Sequence, residues 1–311
     1  MTDKKQLLIL EDLGIPKTDF HDLTENANLS YNLIWEEAKA NPEQVEVLVN
    51  VKKKIDQNLL DKYPNVKMIA VAFTGYDSVD LEYCKTHNIA VYNVPAYATS
   101  SVTELVIGLV ISLLREIPKS NEIIRSGKWK LKPGLELSGK TVGILGTGTI
   151  GINTAKIFKA LGCSLIGWSR TEQEEFKDLG GEYISDKQAF FGEADIVSIH
   201  LPYNEATENI VGAAELKAMK KTGFLINTAR GPIVDEPALI EALQNKEIAG
   251  AGLDVFVQEP IDPDNELLNL KNVVLTPHVA YKTEEALKRR AATTVDNIVD
   301  FSKGKKGNSV N

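Results

Sequence analysis

Cysteine is scarce in this chain of 311 residues: there are two, Cys84 and Cys163. With no CxxC spacing and no histidine cluster beside them, they exclude a disulfide framework and a structural zinc site. Two reduced thiols fit a cytoplasmic protein. Positive charge is also in deficit, with 35 Lys and Arg against 43 Asp and Glu, a net charge of −8. A nucleic-acid partner needs a basic stripe. The basic run KGKKG at 303–307 reads as a solvated terminus. Long hydrophobic runs are missing as well. The longest, LVIGLVISLL at 105–114, falls short of the roughly 20 residues needed to span a bilayer and is expected to form a buried helix. The amino-terminal LLIL in MTDKKQLLILED reads as a first strand rather than a leader. No repeat of solenoid length and no low-complexity tract is present.

What is there is an ordinary globular composition, 43% apolar and 25% charged, in a chain long enough for two domains. Short, nearly continuous apolar runs alternate with helical stretches. The first third carries candidate strands at 6–10, 45–51, 66–73 and 89–93, with helices expected at NLIWEEAKA and DLEYCKTH. A long helix is expected over 100–117, with Thr99, Ser100 and Ser101 as candidate caps. SGKWKLKPGLELSGK then reads as an exposed connector. A second series of strands follows at 141–145, 163–169, 195–201, 223–227, 249–255 and 272–276, and a last helix at about 283–302. Alternation of this kind predicts an α/β fold with parallel sheets, whose strands are buried on both faces.

TVGILGTGTIGINTAKIFKAL contains Gly146-x-Gly148-x-x-Gly151, leaving a strand and entering a helix directly. That context turns a weak spacing into a dinucleotide fingerprint. The first glycine allows a tight turn, the second lets backbone approach a diphosphate, and the third lets helix and strand pack closely. The diphosphate then sits on the helix amino terminus. The second strand ends at Ser169-Arg170, where an acidic residue would hold an unmodified ribose. A hydroxyl and a guanidinium suit a 2′-phosphate instead, so NADP(H) is the expected cofactor, with NAD(H) as the alternative. The competing reading pairs Arg170 with Glu172, Glu174 or Glu175.

Three later segments place polar residues at strand ends: Arg230 in LINTARGPIVDEPAL, Asp254 and Glu259 in GLDVFVQEP, and His278 in VVLTPHVAY. Ligands bind beyond the carboxyl ends of parallel strands. An arginine can grip a carboxylate and polarise the neighbouring carbonyl. A histidine can give or take the alcohol proton, and a glutamate can orient that histidine. Together these suit ketone–alcohol interconversion by hydride transfer. No metal site is expected.

These motifs, with IVSIHLPYNEAT and GYDSVDLEYCKTHNIAVYNVPAYATSSVTEL, resemble the D-isomer-specific 2-hydroxy acid dehydrogenases over nearly the whole chain. The resemblance implies two Rossmann-like domains. One is a discontinuous, flavodoxin-like substrate domain (1–99 and 281–311), and the other an inserted dinucleotide-binding domain (100–280). It implies that Arg230 binds substrate, His278 is the general acid/base and Glu259 is its partner. Thr149 and Ile150 approach the diphosphate; Pro202, Thr207, Thr228 and Ala229 line the cofactor cleft; Asp254 lies near the nicotinamide carboxamide. The amides of Thr74, Gly75 and Tyr76 are implied to hold the substrate carboxylate. A homodimer is implied, with the 100–117 helix and its connector as the interface.

The Ser-Arg pair resembles that of NADPH-linked glyoxylate/hydroxypyruvate reductases. Phosphoglycerate dehydrogenases tend to carry an arginine at the position of Asn50, although Lys52, Lys53 and Lys54 keep a phosphorylated substrate in view. Tyr281, where many relatives have a small residue, resembles D-lactate dehydrogenases. Ala96 replaces a glycine common in relatives. His200 reads as structural, and His21 and His87 as surface residues. A different class, a dinucleotide-sensing regulator that binds a partner protein, is the remaining alternative.

Overall fold

In the computed structural model, every strand–strand pairing within the two sheets is parallel. The structure describes residues 4–130 and 132–311; Leu131 in the connector and residues 1–3 ahead of the first strand lie outside the described residues. The chain divides into two compact units. One comprises the described residues up to Ala98 together with Lys282–Asn311, and the other Thr99–Tyr281.

The first unit holds β1 (Gln6–Ile9), β2 (Asn32–Ile34), β3 (Val45–Asn50), β4 (Met68–Val71) and β5 (Ala90–Tyr92), in the order β2-β1-β3-β4-β5. This is the flavodoxin-like order. Helices α1 (Lys17–Asn26), α2 (Gln57–Leu60), α3 (Leu81–Thr86) and the terminal helix Glu284–Ser302 complete it. All six residues of β3 are buried, Glu46 and Asn50 among them.

NLIWEEAKA does not form the helix expected from its composition. Asn32–Ile34 is an edge strand paired with Gln6–Leu8, Trp35 packs edge-on against Phe20 at 5.8 Å, and two 3-10 turns, Glu37–Lys39 and Pro42–Gln44, follow. With three residues spent on the strand and Pro42 disfavouring helix at Asn41, too little chain remains to repay helix nucleation.

The second unit holds β6 (Thr141–Leu145), β7 (Ser164–Trp168), β8 (Gly181–Tyr183), β9 (Ile196–Ile199), β10 (Phe224–Asn227), β11 (Gly250–Leu253) and β12 (Val273–Leu275). Their order is β12-β11-β10-β9-β6-β7-β8, the doubly wound Rossmann arrangement with its switch point between β6 and β9. Around them lie α4 (Thr99–Leu114), α5 (Ile117–Arg125), α6 (Thr149–Ala160), α7 (Glu174–Asp178), α8 (Lys187–Glu193), α9 (Ala213–Ala218) and α10 (Glu236–Gln244). Successive strand residues feed opposite cores. Val142, Ile144, Ile196 and Ile226 join Val106, Leu109 and Phe158 on one face. Leu145, Val197, Ile199 and Leu225 join Phe190 and Phe191 on the other. Each such buried side chain contributes roughly 1.5–3 kcal/mol.

The single helix expected over 100–117 is two. α4 ends at Leu114, Glu116 turns left-handed at φ 46°, and α5 starts with Pro118 in its first turn. Proline there cannot donate to the Leu114 carbonyl and would clash with it in a continuous helix. That carbonyl accepts instead from the Leu135 amide at 2.9 Å. Among the described residues, no helix is long and apolar enough to cross a membrane.

Candidate active site

The glycine loop follows β6. Gly146 has φ +99°, and a Cβ there would lie 2.9 Å from the His200 carbonyl, so only glycine permits this turn at the switch point. A Cβ on Gly151 would overlap the Gly146 carbonyl oxygen, so α6 can pack this closely only without one. Gly148 caps α6, and a Cβ built there meets nothing within 4 Å, leaving open space above the first turn. The helix presents unpaired N–H groups and its positive end to that space, with Thr149 and Ile150 first in line. A cavity of about 370 Å³ opens here, bordered by Thr147, Gly148, Thr149, Gln173 and Glu175.

Ser169 and Arg170 leave β7 beside this loop, Ser169 half-buried and Arg170 exposed. The nearby acids do not take Arg170. Glu175 pairs with Lys156 at 2.6 Å, and Glu172 and Glu174 pair with Lys177 at 2.9 and 3.0 Å. Among the described residues, Arg170 makes no ion pair. A residue that sequence reading did not single out stands across the turn. The Tyr183 hydroxyl donates to Thr147 Oγ1 at 2.6 Å and accepts from the Gln173 amide at 2.9 Å.

The strand ends beyond β9, β10, β11 and β12 carry the other expected residues. After β9, Thr207 donates its hydroxyl to the Pro202 carbonyl at 2.7 Å and closes that loop on itself. After β10, Thr228 is buried, and among the described residues its hydroxyl has no partner. Asn227 pins the next turn by accepting from the Ala229 amide at 3.0 Å and donating to the Arg230 carbonyl at 2.9 Å. Arg230 is half-buried, with Nη1 donating to the Ala229 carbonyl at 2.9 Å.

After β11, Glu259 Oε2 lies 2.6 Å from His278 Nδ1, and Glu259 Oε1 accepts from the Phe256 amide at 3.2 Å. His278 has φ +52°, an uncommon conformation for any residue but glycine. Asp254, fully buried, accounts for it. Its Oδ1 accepts from Thr276 Oγ1 at 2.6 Å and the Val279 amide at 2.9 Å, and its Oδ2 from the Ala280 amide at 2.8 Å. Its backbone carbonyl accepts from the His278 amide at 2.8 Å. Nothing in the linear sequence signals this clamp. The Tyr281 ring stands edge-on to His278 at 5.6 Å.

His200, read from sequence as structural, holds Ser198 Oγ at 2.8 Å through Nε2, and burial pushes its pKa down to about 3. It is neutral at physiological pH and is no proton donor. In the first unit, Thr74, Gly75 and Tyr76 follow β4. Thr74 donates its hydroxyl to the Val94 carbonyl at 2.9 Å. Among the described residues, no acceptor takes the amides of Thr74, Gly75 or Tyr76.

Comparison with known proteins shows the family. Residues 107–280 match the family model described as "D-isomer specific 2-hydroxyacid dehydrogenase, NAD binding domain". The chain belongs to the D-isomer-specific 2-hydroxyacid dehydrogenase family. It is similar to the glyoxylate reductase of Thermococcus litoralis, 39% identical over 290 residues and covering 87% of each chain. Among solved structures of the family, it is similar to the NADPH-dependent glyoxylate/hydroxypyruvate reductase of Sinorhizobium meliloti in complex with NADP and malonate. That match has TM-score 0.87 and 32% identity, and covers 99% of this chain and 97% of the other. The D-lactate dehydrogenase of Aquifex aeolicus, complexed with NAD and lactic acid, matches with TM-score 0.86 and 30% identity over 98% and 99% of the two chains.

As a member of this family the chain is an oxidoreductase using a nicotinamide dinucleotide. The open helix start above Gly148, the closely packed glycine turn and the orphaned Thr228 hydroxyl fit such a ligand.

Proposed function

We propose that this dehydrogenase reduces small 2-keto acids, glyoxylate and hydroxypyruvate foremost, to the D-2-hydroxy acids, with NADPH as the preferred cofactor. The observation that carries the reading is the His278–Glu259 contact of 2.6 Å at the carboxyl edge of the sheet that also presents Arg230. The dinucleotide, when bound, supplies the hydride. Glu259 occupies Nδ1 of His278, so Nε2 is the nitrogen that delivers the proton to the carbonyl oxygen. Arg230 grips the substrate carboxylate and polarises the carbonyl. Gly146, Gly148, Thr149, Ile150 and Gly151 hold the diphosphate. Pro202, Thr207, Thr228 and Ala229 line the nicotinamide side, with Asp254 beside its carboxamide.

Ser169 and Arg170 receive the 2′-phosphate. Support comes from the three glutamates, whose lysine partners leave the guanidinium available. Exchanging Arg170→Asp should reverse the preference for NADPH over NADH. Equal efficiency of the unmodified enzyme with both cofactors would refute this assignment.

Pyruvate reduction to D-lactate is a second reading, favoured by the Tyr281 ring against His278. NADPH oxidation with glyoxylate, hydroxypyruvate, pyruvate and phenylpyruvate separates the two. We further propose a homodimer: Ile117, Ile124, Trp129 and Leu135 lie exposed along α5 and the connector, Trp129 at 83%, an apolar set that a second copy would cover. Sedimentation of Trp129→Glu as a monomer, against a dimeric parent, is the expected result. A cytoplasmic setting is consistent with Cys84 and Cys163, both buried and free.

A further inference from the structure

Arg170 lies in a five-residue turn, 169–173, between β7 and α7. A cation on such a turn selects a 2′-phosphate only if the turn is held at a fixed distance from the diphosphate site. One end is fixed by the sheet, where the Gly146 amide donates to the Trp168 carbonyl at 2.8 Å. The other end is fixed by one side chain. The Gln173 amide donates to the Tyr183 hydroxyl at 2.9 Å, and that hydroxyl donates to Thr147 Oγ1 at 2.6 Å, inside the glycine loop. Thr147 is 1% exposed, and both Thr147 and Gln173 border the cavity above α6. The Tyr183 hydroxyl is therefore a rivet across the adenosine end of the site.

The ring is placed for this by its neighbours. Tyr183 sits opposite Gly167 on the adjacent strand, and a Cβ on Gly167 would come 3.1 Å from the Tyr183 ring and 2.7 Å from Phe176. The missing side chain lets the ring lie over the sheet, packed against Phe176 at 5.1 Å.

We propose that Tyr183 is a positioning residue for cofactor selection: through Gln173 and Thr147 it holds the Arg170 turn at the spacing that reads a 2′-phosphate. The proposal rests on the assignment of Arg170 to that phosphate. It can be tested without turnover by calorimetric binding of 2′,5′-ADP and of 5′-AMP, which differ only in the 2′-phosphate, to the full chain. Tyr183→Phe removes both hydrogen bonds and keeps the ring. It should weaken 2′,5′-ADP about tenfold and 5′-AMP less than about threefold, the scale of one or two net hydrogen bonds. In an Arg170→Ala background the same change should cost 2′,5′-ADP nothing further, because residues acting in series are not additive. Thr147→Val, which removes the acceptor and leaves Tyr183 in place, should reproduce the selective loss.

Unchanged affinities in Tyr183→Phe, or an equal loss for both nucleotides in both backgrounds, would overturn the proposal. The Arg170 assignment fails separately, and before any variant is made, if the unmodified protein binds the two nucleotides equally.

Discussion

Asp254→Asn is the substitution whose consequences the geometry defines most closely. The carboxylate is fully buried and accepts three hydrogen bonds, from Thr276 Oγ1, the Val279 amide and the Ala280 amide. An asparagine has one oxygen. If it faces Val279, its NH2 opposes the Ala280 amide; flipped, it opposes the Val279 amide, and only the Thr276 hydroxyl can adapt by accepting. Either way one buried N–H faces another donor. At about 1–3 kcal/mol for an unsatisfied buried group, plus the loss of charge-assisted bonds, the cost is about 3 kcal/mol. These bonds hold the turn that keeps His278 at φ +52°, so the imidazole shifts. A displacement of order 1 Å costs about a hundredfold in turnover. The assay is kcat/KM for glyoxylate with NADPH, alongside urea unfolding. A variant within twofold of the parent in kcat/KM would refute the clamp's role in placing His278, whatever its stability.

Two further outcomes follow from single residues. His200 has a folded-state pKa near 3 against 6.5 for the free side chain. Its unfolded form therefore takes up protons first, and stability present above about pH 6.5 is lost as the pH falls toward 3. The residue keeps some solvent contact, so about 1–2 kcal/mol of loss is expected by pH 5. His200→Gln should flatten that limb of the urea-midpoint profile, and an unchanged slope would contradict the assignment. Ala96 stands at φ +58°, where a Cβ is strained. Ala96→Gly should raise the unfolding midpoint, with a net gain of about 0.5 kcal/mol after the added freedom of the unfolded chain. A lower midpoint would contradict it.

The elements legible in the sequence were those whose signal is local. The apolar runs of β3, β6, β9 and β10 announce strands buried on both faces, and the glycine spacing carries its own strand–turn–helix context. Two of the four edge strands, β2 and β8, are different. Asn32–Ile34 and Gly181–Tyr183 are three residues each and only partly buried, so neither shows a period, and both exist because a neighbouring strand is there to pair with. The site divides the same way. Arg230, Glu259 and His278 are visible as polar residues ending apolar runs. The Asp254 clamp and the Tyr183 bridge join residues that are 22 to 26 and 10 to 36 positions apart, and no pattern along the chain encodes them. Whether Arg170 pairs with its acidic neighbours could not be read in sequence, because the answer lies with Lys156 and Lys177.

The central claim is that His278, oriented by Glu259, protonates a 2-keto acid as hydride arrives. Its most direct test is NADPH oxidation by glyoxylate, measured for the unmodified enzyme and for His278→Ala under the same conditions. The expected result is turnover by the parent and a fall of about 10²–10⁴-fold in kcat/KM in the variant, with cofactor binding retained. Equal rates in the two proteins, or a parent that binds NADPH yet reduces no 2-keto acid, would contradict the account.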